Sequence, residues 1–230
     1  MSRLSTAVAQ ELLDEMNRIV ISYPVGVERT AKTVEELIGG TACFPGGSGL
    51  WRGDCYRGPL PKLFPDSPVM FIGHNFDSIE AHDQAMEQRG EVATQFWKTL
   101  KAFLRAADNL DPAECFFTNA LMWLKPGTAD GPMPDCDGYR LQCQRFLRRQ
   151  IDIVRPRSII ILGGDAEDQL RKARRPDATG AAIQYGKAMH PSTRPRNQRP
   201  TREQWILAQG KKIASEVARS TAHYASAGSR

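Results

Sequence analysis

Histidine and asparagine side chains end or interrupt apolar runs at three places in the chain, which are segments 73–75 (Gly-His-Asn), 118–119 (Thr-Asn) and 190–192 (His-Pro-Ser). An Asn amide offers both a hydrogen-bond donor and an acceptor, and an imidazole offers one of each when neutral. Polar groups of this kind at the ends of buried strands are typical of ligand binding at the carboxyl edge of an α/β sheet. These segments are therefore the first candidates for chemistry.

Each candidate also has an ordinary structural interpretation. Gly73 can make the turn into a helix, and Asn75 can cap that helix. His190 alone is typical of a satisfied surface or core histidine, and Pro191-Ser192 is typical of a turn. Asn119 lies within an apolar run, and a buried amide there needs hydrogen-bond partners, which either a loop or a ligand can supply.

Four apolar segments are predicted as strands, and they are Val69–Ile72, Cys115–Leu121, Ser158–Leu162 and the more weakly patterned Ala181–Met189. Helical periodicity is found before and between them, over residues 4–19, 34–38, 78–88, 92–107, 139–154, 165–173 and 201–219. Asp165 is predicted to cap the helix that follows Gly163-Gly164.

Strands that alternate with helices predict a parallel sheet with helices on both faces. Right-handed crossovers then bring the carboxyl ends of all the strands to one edge. We therefore expect an α/β fold, a three-layer αβα sandwich around a four-stranded parallel sheet. At one edge of this sheet, segments 74–75, 118–119, 163–164 and 190–192 converge.

The length of 230 residues is enough for one large domain or two small ones, and we expect a single domain over residues 1–220. This domain includes the N-terminal helix and a long Gly- and Pro-rich loop over Thr41–Pro68, whose aromatic residues favour an ordered loop that covers part of the molecule. Residues 221–230 are predicted to be a disordered tail.

Charge is unevenly distributed along the chain. Residues 140–230 contain 19 Lys and Arg against 7 Asp and Glu, a balance of +12, whereas residues 1–139 contain 12 against 19, a balance of −7. Such asymmetry predicts a basic face for a polyanion. The alternative is a solvated surface with a basic tail.

Composition and cysteine usage are typical of a globular protein of the cytoplasm, with 41% hydrophobic residues and no apolar run long enough to cross a bilayer. The charged N-terminus lacks the features of a signal peptide. The five cysteines include no C-x-x-C pair, which argues against disulfides and zinc. We expect reduced structural cysteines, with a four-cysteine iron–sulfur cluster as the alternative.

The three polar segments together resemble the motifs of the uracil-DNA glycosylase superfamily. They supply a Gly-x-Asn after the first strand, an Asn near the end of the second and His-Pro-Ser after the fourth. The resemblance covers Val69 to Ala218 and implies a single αβα sandwich. It further implies a monomeric, membrane-independent DNA glycosylase that removes uracil or a related deaminated base from DNA, with no metal and no cofactor.

Two catalytic roles follow from this resemblance. The base is flipped out of the stack into a pocket at the carboxyl edge of the sheet. Asn75 is implied to position the attacking water, and His190 to stabilise negative charge on the carbonyl oxygen of the departing base. Because an amide is not a carboxylate base, modest rates are expected.

The resemblance also implies binding roles. Asn119 is expected to form a bidentate pair with the edge of a pyrimidine, and Ser192 to bond a phosphate. The remaining residues implied to bind the base are Gly73, His74 and Phe76. The loop that braces the DNA duplex is expected to contain Thr193, Arg194 and Arg196.

The chain departs from the family pattern directly after Asn75. Phe76 replaces the usual Pro and Asp77 replaces a Tyr or Gly, while His74 replaces a small, apolar or Gln residue. The family stacks an aromatic residue on the base, yet residues 79–95 contain none. Phe76, Trp51 or Tyr56 is the expected substitute.

These departures leave two further functions open. One is a superfamily member that binds a nucleic acid or a base without cleaving it. The other is a nucleotide or sugar-phosphate site on a Rossmann-like sheet. The sequence at Gly73 argues against this function, because it lacks the Gly-x-Gly-x-x-Gly pattern of a phosphate-binding loop.

Overall fold

A computed structural model describes residues 3–4, 11–12, 14–15, 18, 64–65, 68–75, 80, 95–121, 137–173, 184–191 and 201–227. Its strands are β1 (Arg3–Leu4), β2 (Phe64–Pro65), β3 (Val69–Asn75), β4 (Cys115–Leu121), β5 (Ser158–Leu162) and β6 (Gln184–Ala188). Its helices are α1 (Gln95–Ala106), α2 (Asp137–Val154), α3 (Gly164–Ala173) and α4 (Arg202–Ala227), with a short 3₁₀ helix at Pro112–Glu114.

The central sheet has four parallel strands in the order β4-β3-β5-β6, and β1 pairs separately with β2 in an antiparallel manner. The chain leaves β3 toward β4 on one side, and it leaves β5 toward β6 on the other. Adjacent strands whose connections diverge leave a crevice at their carboxyl ends, where ligands bind in open α/β sheets. In this sheet the crevice lies between the ends of β3 and β5.

Helices cover both faces of the sheet. α1 and α4 pack together on one face, with α4 against β5 and β6, and α2 and α3 pack together on the other face, with α2 against β4. The predicted three-layer αβα sandwich with a four-stranded parallel sheet is therefore confirmed.

The core beneath α1 and α4 is built from alternate residues of the strands. Phe71 of β3 and Phe117 of β4 stack with ring centroids 5.2 Å apart, and Trp205 of α4 meets Phe103 of α1 edge to face at 5.0 Å. α1 places Leu100, Phe103 and Leu104 in this core, which accounts for the helical periodicity found over residues 92–107.

The crossing of α1 and α4 requires a residue without a side chain. A Cβ atom on Gly210 of α4 would lie 2.3 Å from the Cβ of Ala106 and 2.6 Å from its carbonyl carbon. Both contacts are far inside van der Waals distance, and the backbone of α1 cannot move aside cheaply. Gly210 therefore sets how closely the two helices approach.

On the opposite face, β4 is tied to α2 by a buried hydrogen bond. The Thr118 hydroxyl donates to the side-chain oxygen of Gln150 at 2.8 Å, and both side chains are almost fully buried. A second amide pair, Gln144 to Gln169 at 3.1 Å, joins α2 to α3. This face thus contains a buried polar layer, in which the side-chain Nε2 of Gln150 has no hydrogen-bond partner among the described residues.

The structure changes several predicted boundaries. α4 continues to Ala227, so the prediction that the tail is disordered from residue 221 is wrong for residues 221–227. β3 continues to Asn75, which makes Asn75 the last residue of a strand. α3 begins at Gly164, so Asp165 lies within the first turn and does not precede it as a cap.

Other predictions fall largely outside the described residues. These are the N-terminal helix over 4–19, of which only a few positions are described, the helices over 34–38 and 78–88, and the loop over 41–68. Among the described residues, no helix is long and apolar enough to span a membrane.

Candidate active site

Asn119 lies directly against the backbone of β3. It pairs in register with Gly73, and a Cβ on Gly73 would stand 2.5 Å from the Asn119 side-chain oxygen. The missing side chain at position 73 therefore makes the space that the amide occupies. Asn119 is 5% exposed, so its amide is buried beside the end of β3.

Asn75 and His74 end β3 beyond this pair. Both are partly exposed, whereas the five residues before them are buried. Because side chains alternate along a strand, Asn75 projects to the same face as Gly73 and Phe71, and His74 projects to the face covered by α3. Consistent with this, His74 Nδ1 lies 4.0 Å from Asp165 Oδ2 in the first turn of α3.

His190 follows β6 and lies against the turn that ends β5. Gly163, at φ +93°, has the left-handed conformation that favours glycine, and a Cβ there would lie 3.2 Å from the Cβ of His190. The ring of Phe96 packs on the imidazole with centroids 5.1 Å apart. His190 is thus held between the end of β5 and the start of α1.

The surroundings of His190 favour its neutral form. Burial, as the largest cause, and the neighbouring His74 lower the pKa of the His190 imidazole, while Asp165 raises it. A neutral imidazole can donate one hydrogen bond without carrying a formal charge. Such a donor suits an oxygen on which negative charge develops.

The predicted convergence at the carboxyl edge is confirmed for the described residues. Gly73 with Asn119, Gly163 with His190, and His74 with Asp165 are the contacts that join the strand ends. In parallel α/β folds the helices run back antiparallel to the strands, so α1 and α4 also begin at this edge. The predicted pair Thr118-Asn119 separates, because Thr118 points to the other face and bonds Gln150.

Several residues predicted for the site lie outside the described residues. These are Phe76, Ser192, Thr193, Arg194 and Arg196, and also Trp51 and Tyr56. Their predicted roles in base stacking, phosphate binding and DNA bracing remain predictions.

The structure adds two residues to the site that the sequence did not single out. Phe96 belongs to the helix predicted over residues 92–107, and in the structure its partly exposed side chain contacts the rings of both His190 and Trp97. The sequence predicted this helix from residue 92, so it gave no signal that Phe96 lies in the first turn of α1 at the ligand-binding edge. Asp165 was assigned as a helix cap, and it faces His74 instead.

The described residues offer hydrogen bonding and stacking, not metal ligation. Within the described ranges no three His, Cys, Asp or Glu side chains are grouped to hold a metal ion. The two described cysteines, Cys115 and Cys143, are buried and reduced, and burial strongly raises the pKa of the Cys115 thiol. What the site presents is two amides, two imidazoles and an aromatic ring around the end of β3.

Comparison with known proteins identifies the family of the fold. A family model described as the Uracil DNA glycosylase superfamily matches residues 61–211, which is 151 of the 230 residues. The matched segment contains β2 to β6 and α4 as far as Lys211. A comparison of the chain with curated proteins found no match. Because the family model matches more than half of its length, the chain belongs to the uracil-DNA glycosylase superfamily.

Proposed function

We propose that the protein is a DNA N-glycosylase that hydrolyses the bond between deoxyribose and uracil or a related deaminated base. The superfamily is glycosylase-like, acts in DNA repair and binds DNA in general. The observation that supports the proposal most directly concerns Asn119 and His190. The Asn119 amide lies against Gly73 of β3, and the His190 imidazole lies against Gly163 after β5, so both groups border the crevice between the ends of these strands.

The proposed substrate position follows from these two groups. A base edge with adjacent donor and acceptor atoms matches the two functions of the Asn119 amide. When the glycosidic bond breaks, the base leaves with negative charge, which the neutral His190 stabilises by donating a hydrogen bond to a carbonyl oxygen. The exposed ring surface of Phe96 lies beside His190 and can stack on a planar base.

The proposed water position is at Asn75. This residue lies on the same face as Gly73 and Asn119, two residues beyond the Gly73–Asn119 pair. Its amide can orient a water molecule toward the sugar but cannot remove a proton as a carboxylate does. The proposal therefore expects an enzyme in which departure of the base, not attack by water, is the assisted step.

Because the Asn75 amide cannot act as a base, a second function is also considered, that of a protein that binds the base or the DNA without cleaving it. The two functions are separated by incubating the protein with single- and double-stranded oligonucleotides that contain uracil, hypoxanthine or xanthine, followed by alkaline strand cleavage. Scission of at least one substrate supports the glycosylase. Salt-dependent binding to the same oligonucleotides without scission on any of them supports the binder.

Replacement of His190 tests the mechanism. We expect His190→Ala to lower the rate of base release roughly a hundredfold or more, because the group that stabilises the leaving base is lost. The matched control is Asn109→Gly, which keeps the positive φ of 55° beyond the opposite end of α1. Circular dichroism spectra of both variants should match the wild type. Unchanged base release by His190→Ala would remove this residue from the mechanism.

A further inference from the structure

Among the described residues, His74, His190 and the carboxylate of Asp165 lie together at the carboxyl edge, and His190 is the one with a role in the proposed reaction. His74 ends β3 with a side chain that is 25% exposed, and Asp165 stands in the first turn of α3 with a side chain that is 84% exposed. Their side chains approach to 4.0 Å between Nδ1 and Oδ2. This contact links the end of β3 to the helix that starts beside His190.

We propose that Asp165 is a positioning residue for this site, and that it holds His74 at the edge of the pocket so that the pair sets the charge beside His190. The inference rests on the proposed function, in which the neutral form of His190 stabilises the departing base. In this role Asp165 acts through His74 and touches neither the base nor the sugar.

The turn after β5 explains why these three groups meet. The Gly163 amide donates to the carbonyl of Ala188 at 3.1 Å, which fixes the start of α3 against the end of β6. His190 lies two residues after Ala188 and packs on the Cα of Gly163. The same turn therefore places Asp165 toward β3 and seats His190.

The other charged groups of this region are already paired or lie elsewhere. Glu167 of α3 is bound by Lys187 of β6, and Asp168 pairs with Arg171 and Lys172 on the outer side of α3. At this edge, the described ends of β4 and α1 contribute Asn119 and Phe96, which do not titrate. The start of α4 contributes Glu203 and also Arg202, which donates to the Thr99 hydroxyl of α1. Within the described residues, Asp165 and His74 are thus the charged neighbours that act on His190.

The signs of the two effects are opposite. Removing the Asp165 carboxylate takes away a negative charge that favours the protonated form of His190. Removing His74 takes away a group that, when protonated, disfavours it. Asp165→Asn should therefore lower the pKa of His190, and His74→Gln should raise it. A residue with a purely structural role would not produce opposite shifts.

The test is a side-chain NMR titration of the histidines in the full chain without DNA. We expect the pKa of His190 to move by roughly half to one unit in opposite directions in Asp165→Asn and His74→Gln. Asp165→Glu should restore part of the wild-type value. The matched control is Asp168→Asn on the same helix, which should leave the pKa of His190 unchanged. Shifts of equal sign, or none in either variant, would overturn the inference.

Base release then separates this inference from the proposed function. If neutral His190 drives cleavage, the acidic limb of the pH–rate profile should move to lower pH in Asp165→Asn and to higher pH in His74→Gln. An unmoved limb alongside measurable cleavage would also overturn the inference. Absence of cleavage on every oligonucleotide would count against the glycosylase alone, because the titration decides the coupling by itself.

Discussion

At the scale of single residues, two glycines shape the site as much as the polar side chains do. Gly73 leaves room for the Asn119 amide, and Gly163 leaves room for His190 while adopting a left-handed backbone conformation. A site built this way is sensitive to the smallest possible substitution, since a single methyl group reaches the functional side chain.

Gly73→Ala is expected to displace Asn119, because the added Cβ would lie 2.5 Å from its side-chain oxygen. The expected result is a roughly ten- to hundredfold loss in kcat/KM for base release, with the fold retained. The matched control is Gly138→Ala in α2, where a Cβ meets no atom within 4 Å. Wild-type kinetics for Gly73→Ala would show that the amide does not contact the base.

The neutral state of His190 predicts how stability depends on pH. Its pKa is lowered in the folded protein, so the unfolded chain binds more protons below about pH 6.5. The stabilisation is present above that pH and is lost as the pH falls toward the folded-state pKa. We expect the thermal unfolding midpoint to drop less between about pH 7.5 and about pH 5 in His190→Gln than in the wild type. Equal drops in the two proteins would contradict this.

At the scale of elements, the sequence predicted the strands better than the ends of the helices. Apolar runs identify β4 and β5 to the residue, because continuous burial on both faces leaves a clear signature. The end of α4 was missed because Ser220, Thr221 and Ala222 interrupt the apolar pattern. In the structure, the hydroxyls of Ser220 and Thr221 bond the helix carbonyls of Glu216 and Val217.

Contacts within the site were less predictable than the elements that form it. The convergence of strand ends follows from topology alone, and the structure places Asn119 and His190 at the same edge of the sheet. The packing of Phe96 on His190 depends on where α1 starts relative to β6, which no local pattern records. The same holds for Asp165, whose role depends on a single turn of helix.

The α1–α4 crossing supplies a prediction at this scale. Gly210→Ala should lower the free energy of unfolding by about 1–3 kcal/mol, because its Cβ would overlap the backbone of Ala106. Denaturant unfolding measures the effect. Lys212→Ala, at an exposed position of the same helix, serves as the control and should change stability by less than about 0.5 kcal/mol. Equal stability of Gly210→Ala and the wild type would mean that the two helices can separate freely.

At the scale of the whole molecule, folding cancels part of the charge asymmetry seen along the chain. Arg149 of α2 pairs with Glu11 and Glu15 from the acidic N-terminal half, and Arg157 pairs with Glu114. Leu12, between the two glutamates, is fully buried. The N-terminal segment thus neutralises part of α2, and the basic face predicted from the sequence is smaller than the count of +12 suggests.

This pairing predicts a moderate salt dependence of DNA binding. Each phosphate contact contributes roughly 0.9 to the slope of log K against log salt concentration. We expect a slope shallower than about −5, because many basic residues already have acidic partners. Fluorescence anisotropy with a labelled oligonucleotide over a range of salt concentrations measures it. A slope near −10 would show that DNA displaces the internal ion pairs.

The separation of Thr118 from Asn119 has a consequence for redesigning the protein. One side of β4 anchors a helix through Gln150, and the other side presents an amide to the pocket. Substitutions at position 119 can therefore be screened for new base preferences while the anchoring side is left intact. Thr118 should therefore be kept unchanged in such a redesign, whereas its neighbour Asn119 can be varied.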